Sequence, residues 1–297
     1  MKRRIKWLVT SWKGRSLVAC MVVILGCWAW WFNEHRTETI QQAISPGYWI
    51  ARWEGNDLYY PKTAYLAHGN RALREVALTF DDGPHPESLP SILATLTKNH
   101  IHATFFDVGE NMAKWPWLVK ETLADGDIIG DHSSTHLRFP KLSPLELHHE
   151  INDADITFCR ITGQHMYLLR PPGVDISGKV QQTIKSEGYI TVGYTDASRD
   201  YDLKVSPTFI ADRTLDRVDN GAIILLHDYP GTARALPEIV RELKERGYKM
   251  VTIPQMIAHL PLKARIPATH FLAAQQDPTI ASPFASAEAT PEQAVSR

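Results

Sequence analysis

The chain has little cysteine. Three occur in 297 residues, and Cys20 and Cys27 both fall inside one apolar run, which leaves Cys159 alone in the body. That excludes a disulfide framework and a cysteine-built zinc site there. Apolar length is also scarce: one uncharged run, Leu17–Phe32, spans sixteen residues, so a polytopic membrane protein is excluded. A composition of 44% hydrophobic and 22% charged residues excludes a wholly disordered or collagen-like chain. No basic surplus exists outside the N-terminus. Residues 1–16 carry six Lys/Arg (Lys2, Arg3, Arg4, Lys6, Lys13, Arg15) and no acid, so the remainder holds 26 basic against 33 acidic residues, a net of -7. Nucleic acid is not the partner of so acidic a body.

The basic start has another meaning. It precedes Leu17–Phe32, whose far end carries Trp28, Trp30 and Trp31, and amphipathic rings favour a membrane interface. The run is slightly short of the ~20 residues of a spanning helix. Positive charge keeps the N-terminus cytoplasmic and sends the rest across. The expectation is an exported protein tethered by residues 1–32, with a cleaved signal peptide as the alternative.

Residues 33–74 form a stem and lead-in, and from Glu75 strand-like and helix-like segments alternate. Strands are predicted at 76–80, 103–108, 127–130, 189–194, 222–226 and 250–252. Helices are predicted at 88–99, 115–125, 144–161, 179–187, 207–217 and 236–246. Repeated βα units imply a parallel sheet, either doubly wound or closed into a barrel. A C-terminal extension covers 263–297, and from Ala273 it lacks the apolar content to pack.

In such folds chemistry gathers where strands hand over to loops, and three strand ends are unusually polar. Val76–Phe80 runs into Asp81-Asp82-Gly83-Pro84, Ile128–Gly130 into Asp131-His132-Ser133-Ser134-Thr135-His136, and Ile223–Leu226 into His227-Asp228. Taken singly, each has an ordinary reading as a turn or a structural histidine. His132 and His136, four apart, would share one side of a helical turn and suit two nitrogen ligands on one metal. A carboxylate from Asp81 or Asp82 would complete the three-ligand, open-position set of catalytic zinc. No Glu follows His132, so the H-E-x-x-H protease motif is excluded.

Together these segments resemble the polysaccharide deacetylase family, the NodB-homology domains of carbohydrate esterase family 4, over 75–262. The family's T-F-D-D-G-P stands here as Thr79–Pro84, its H-[ST]-x-x-H as His132–His136, and its L-L-H-D as Leu225–Asp228. Its R-P-P-Y appears as Arg170-Pro171-Pro172-Gly173 and its D-W as Asp200-Tyr201. The resemblance implies an α/β fold, a distorted (β/α) barrel of the NodB-homology type with fewer than eight regular units. It implies Asp82, His132 and His136 as ligands of a divalent metal, Zn²⁺ first and Co²⁺, Mn²⁺ or Ni²⁺ as alternatives. It further implies Asp81 as catalytic base oriented by a bidentate Arg170, His227 as general acid, and Asp200 as its charge partner, with Asp196 a rival. Gly173 would offer a backbone oxyanion donor, and Tyr201 would wall the site beside His227.

The activity implied is hydrolysis of N-acetyl groups on a GlcNAc-containing polysaccharide such as peptidoglycan, a chitin-like polymer or an exopolysaccharide. An O-acetyl esterase of the acetylxylan type is the alternative, and an inactive glycan-binding module is the reading from another class. Gly173 in place of Tyr and Tyr201 in place of Trp bear on substrate preference more than on chemistry.

Overall fold

The computed structural model describes residues 58–174 and 177–261 together with Ala264. The anchor expected at Leu17–Phe32 and the extension from Ala273 lie outside the described residues. Among those described, no helix is long and apolar enough to cross a membrane.

Ten short strands build one sheet: β1 (Tyr59–Tyr60), β2 (Tyr65–Leu66), β3 (Glu75–Gly83), β4 (Thr104–Asp107), β5 (Ile128–Asp131), β6 (Leu168–Leu169), β7 (Ile190–Val192), β8 (Asp196–Ala197), β9 (Ala222–His227) and β10 (Lys249–Met250). Their order is β1-β2-β7-β6-β5-β4-β3-β9-β8, with β10 beside β3. Among the described residues, only β1 and β2 pair antiparallel. The first and last strands of this order do not pair, so the barrel is open: an α/β half-barrel. The lead-in is not merely a stem, because β2 pairs parallel with β7 and enters the sheet.

The central strands show why a parallel sheet forms. β3 is buried almost throughout, as a strand covered on both faces must be. Val76, Leu78 and Phe80 pack outward with Ile224, Leu226 and Phe105 under the helices, whereas Ala77 packs inward with Ile223, Phe106, Val192 and Val251. Phe80 and Phe105, register partners on β3 and β4, stack at 4.9 Å. Thr79 and Asp81 continue the inward face by the two-residue period. On the other side of β3, Phe80 pairs with Leu226 and Asp81 with His227.

Helices at Leu89–Lys98, Pro116–Ala124, Pro144–Thr162, Gly178–Ser186 and Pro207–Asp216 lie within one or two residues of prediction, and the helix predicted at 236–246 spans Pro230–Glu245. Helices at Gly109–Lys114 and Ile253–Ala258 are additional. The Pro144–Thr162 helix is bounded by local chemistry. Ser143 and Glu146 form a capping box at its start, and Gly163 closes it at φ 75°, a left-handed angle that glycine adopts without cost.

Candidate active site

The acidic pair at the end of β3 depends on an irregularity. Consecutive residues on a regular strand point to opposite faces. Here the register with β4 shifts between Asp81 and Gly83, and Asp82 takes a left-handed φ of 71°. The bulge turns both carboxylates toward one imidazole: His132 Nε2 lies 3.8 Å from Asp81 Oδ2 and 3.4 Å from Asp82 Oδ1. Gly83 follows because there is no room for more; a Cβ there would stand 2.7 Å from Asp107 Oδ1.

His132 and His136 do not share a helical turn as their spacing predicts. They sit on a loop after β5 in which Ser133 and His136 have positive φ, 69° and 64°. Buried acids staple this loop in place of helical hydrogen bonds. Ser133 N donates to Asp131 Oδ1 at 2.6 Å, and Thr135 donates to Glu150 through its amide at 2.9 Å and its hydroxyl at 2.7 Å. His136 N donates to Ser133 Oγ at 2.8 Å. The two rings still converge, with centroids 5.1 Å apart and His136 Nε2 3.1 Å from Asp82 Oδ1.

Three observations fit a divalent cation at this point. One ligand atom each from Asp82, His132 and His136 falls within 4.8 Å of the others. His132 Nδ1 lies 2.6 Å from the Arg170 carbonyl; a carbonyl only accepts, so Nδ1 holds the hydrogen and the Nε2 lone pair faces Asp82. Burial would raise the Asp82 carboxyl, but without a metal the two imidazoles, when protonated, outweigh it through hydrogen bonding and charge and hold the group well below the usual carboxylate range. An ionised carboxylate and two imidazole nitrogens form a common zinc donor set.

Arg170 is wholly buried, and each of its guanidinium nitrogens donates a hydrogen bond. Its Nη1 donates to Asp81 Oδ1 at 2.7 Å and to Thr79 Oγ1 at 2.8 Å, and Nη2 donates to the Gly193 carbonyl at 2.8 Å. The guanidinium lies 4.3 Å above the Phe106 ring. The contact with Asp81 is therefore through one nitrogen rather than bidentate, because the other donors are committed to the sheet.

Across the site, His227 Nδ1 and Asp200 Oδ1 are 2.7 Å apart, and Asp200 Oδ2 accepts from His227 N at 2.7 Å and Thr232 Oγ1 at 2.6 Å. Burial opposes charge on His227, yet the Asp200 hydrogen bond and charge, with Asp81 and Asp82 nearby, push it up to about 9. The rival Asp196 accepts no side-chain bond from His227; it is buried with both oxygens unpartnered, and burial lifts it to about 7. Tyr201 stands edge-on to His227 at 6.0 Å and is 59% exposed. Gly173 lies in a tight turn, Pro172–Val174, at φ 69°.

Sequence reasoning misses several neighbours. Tyr229 donates its hydroxyl to Asp82 Oδ2 at 2.5 Å and stacks parallel on His227 at 5.5 Å. Its position directly after L-L-H-D was the available signal. Thr79 opens the T-F-D-D-G-P motif, whereas Thr232 carried no signal. Asp107, by contrast, is legible in the sequence as a strand-end acid that could face the pocket; it ends β4 beside the site, 1% exposed, with neither oxygen partnered.

Residues 68–192 match the polysaccharide deacetylase family. The chain is 33% identical over 200 residues to a peptidoglycan-N-acetylglucosamine deacetylase of Bacillus cereus, covering 66% of this chain and 72% of that one. It is 34% identical over 182 residues to the peptidoglycan-N-acetylmuramic acid deacetylase PdaC of Bacillus subtilis, covering 61% of this chain but only 38% of that protein. A crystal structure of the Bc1960 peptidoglycan N-acetylglucosamine deacetylase superposes with a TM-score of 0.63 at 30% identity, over 71% of this chain and 96% of that one. The chain belongs to the polysaccharide deacetylase family.

Proposed function

We propose that this protein is a metal-dependent hydrolase that removes N-acetyl groups from a GlcNAc-containing cell-wall polysaccharide. The observation that carries the reading is the convergence of Asp82, His132 and His136 between an Arg170-held Asp81 and an Asp200-held His227. Peptidoglycan is favoured over other glycans because the relatives just described are named for it.

Asp82, His132 and His136 would hold the metal, Zn²⁺ by their chemistry. When bound, such an ion polarises the acyl oxygen and makes water a better nucleophile at neutral pH. Asp81, fixed by Arg170, accepts the proton of the attacking water. The amide N–H of Gly173 meets the charge that develops on the acyl oxygen. His227, charged at neutral pH because Asp200 stabilises the imidazolium, gives its proton to the departing amine. Tyr201 borders the leaving-group side.

The enzyme acts outside the cytoplasm in this reading, tethered by Leu17–Phe32. Full-length protein should stay with membranes after a high-salt wash; a soluble form starting after residue 27 would mean a cleaved signal. For the activity, acetate release is measured on peptidoglycan, chitooligosaccharides and acetylxylan. Release from the first or second is expected and should vanish in His132→Ala. Release from acetylxylan alone would make the protein an O-acetyl esterase. Glycan binding without any release would make it a binding module.

A further inference from the structure

Resting on the deacetylase reading above, we propose that Arg138 is a specificity-determining residue that recognises a carboxylate on the glycan, so that the substrate is an acidic acetylated polysaccharide rather than a neutral one. Arg138 lies two residues after His136, the most exposed of the three proposed ligands at 46% side-chain exposure. It also faces Gly173, in the loop that follows Arg170.

The geometry at Gly173 shows how the guanidinium is presented. A Cβ built on Gly173 would stand 3.2 Å from Arg138 Nε, 3.3 Å from Cζ and 3.4 Å from Nη2. Near-equal distances to three atoms of the planar group put that Cβ position over the guanidinium face, not its edge. Gly173 at φ 69° disfavours any side chain there, so this face contact stays open to Arg138. With its face turned to the Gly173 turn, the guanidinium keeps its edge N–H groups free, and those edges match a carboxylate bidentately.

The guanidinium is also uncommitted. The three acids given roles in the site already have partners: Asp81 has Arg170, Asp82 has both histidines and Tyr229, and Asp200 has His227 and Thr232. Among the described residues, no hydrogen bond or ion pair engages the Arg138 side chain. A positive donor fork without a partner among the described residues thus lies two residues from the proposed ligand His136 and against the Gly173 turn. A neutral chito-oligomer offers it only hydroxyl groups. The lactyl carboxylate of N-acetylmuramic acid offers it a charge.

The test is equilibrium binding with zinc-loaded, full-length protein in an Asp81→Asn background, which stalls turnover. Three oligomers are compared: alternating N-acetylglucosamine and N-acetylmuramic acid with free carboxylates, the same oligomer with those carboxylates amidated, and a neutral N-acetylglucosamine oligomer. Arg138→Ala should cut the preference for the free carboxylate about tenfold, the scale of one charge-assisted hydrogen bond. Arg138→Lys should recover part of it, and added salt should weaken it only where Arg138 is present. A preference that is absent from the Arg138-containing protein, or that survives Arg138→Ala unchanged, overturns the assignment. So does an equal loss of affinity for all three oligomers, which is what a merely structural role predicts. Acetate release by the wild type is scored separately: no release with the preference intact would sink the deacetylase reading and leave Arg138 assigned.

Discussion

Arg170 and His132 meet through the backbone of one and the side chain of the other: the Arg170 carbonyl accepts from His132 Nδ1 at 2.6 Å. The same residue reaches Asp81 with its guanidinium. One arginine thus orients a proposed metal ligand with its main chain and the proposed base with its side chain. Arg170→Lys separates the two tasks, since it keeps the carbonyl but cannot supply the same set of donors. Metal content should stay near one per chain while kcat falls by roughly 10²-fold, the lower range for impaired general-base catalysis. Loss of metal in this variant would show that the side chain, not the carbonyl, holds His132.

The proposed ligands and the proposed base should respond differently to substitution. His132→Ala or His136→Ala leaves two ligands and should lose metal and activity together. Asp81→Asn should retain the metal, measured by elemental analysis, with turnover reduced by ~10²–10⁴-fold. If Asp81→Asn sheds the metal and Asp82→Asn keeps it, the two carboxylates have exchanged roles.

Tyr229→Phe removes one hydrogen bond to Asp82 and keeps the ring on His227. Partners that orient ligating carboxylates typically matter by ~10–100-fold in metal affinity. Competition with a chelator should show a loss of that size, with little change in thermal stability. An unchanged affinity would mean that the tyrosine only packs.

The raised His227 pKa gives a pH test. Asp200 favours the imidazolium, so Asp200→Asn should move the alkaline limb of the kcat profile to lower pH by roughly 1–3 units. A cation on Asp82 opposes the same charge, so the wild-type limb should fall below about 9. His227→Ala should harm amide hydrolysis more than cleavage of activated aryl esters, because an amine cannot leave unprotonated and a phenolate can. Equal losses on both substrates would remove His227 from proton transfer.

Asp107 makes a stability prediction. Complete burial, then the charges of Asp228 and Asp81, raise its carboxyl well above 3.8. The folded state therefore binds more protons than the unfolded one above that pH, and stability falls as pH rises. Asp107→Asn abolishes this titration, and its amide can reach toward the unpartnered Asp228 Oδ1. Urea midpoints should decline between pH 5 and 8 more steeply in wild type than in the variant. Parallel slopes would mean that Asp107 is ionised and compensated.

Long amphipathic segments were legible in the sequence, and short ones were not. The helix predicted at 144–161 is observed at Pro144–Thr162 because a capping serine and a terminal glycine mark its ends. The helix Pro230–Glu245 begins six residues before the predicted 236, since Pro230 occupies its first turn and Pro237 is accommodated inside it. Two-residue strands such as Leu168–Leu169 and Asp196–Ala197 are too short to show alternation. In the site, Asp81, Asp82, His132 and His136 stood out because strand-end polarity and spacing concentrate them. Tyr229 and Thr232 act through contacts between β3, β9 and the following helix, which no local pattern announces. The helical turn expected at His132–His136 failed for a related reason: buried Asp131 next to it and Glu150 fifteen residues beyond Thr135 take up the loop's donors.

Asp81 and His227 are register partners on adjoining parallel strands, and such strands lie ~4.8 Å apart. The interval between the residues proposed to take and to give the proton is thus ruled by backbone pairing, not by loops. Insertions in the surface connections, including those around Arg138 and Tyr201, can reshape which glycan is admitted without touching that interval. A one-residue deletion within β9 would instead turn every following side chain to the opposite face. Diversification of substrate and preservation of chemistry are therefore mechanically separable in this chain, the first written in loops and the second in the ladder.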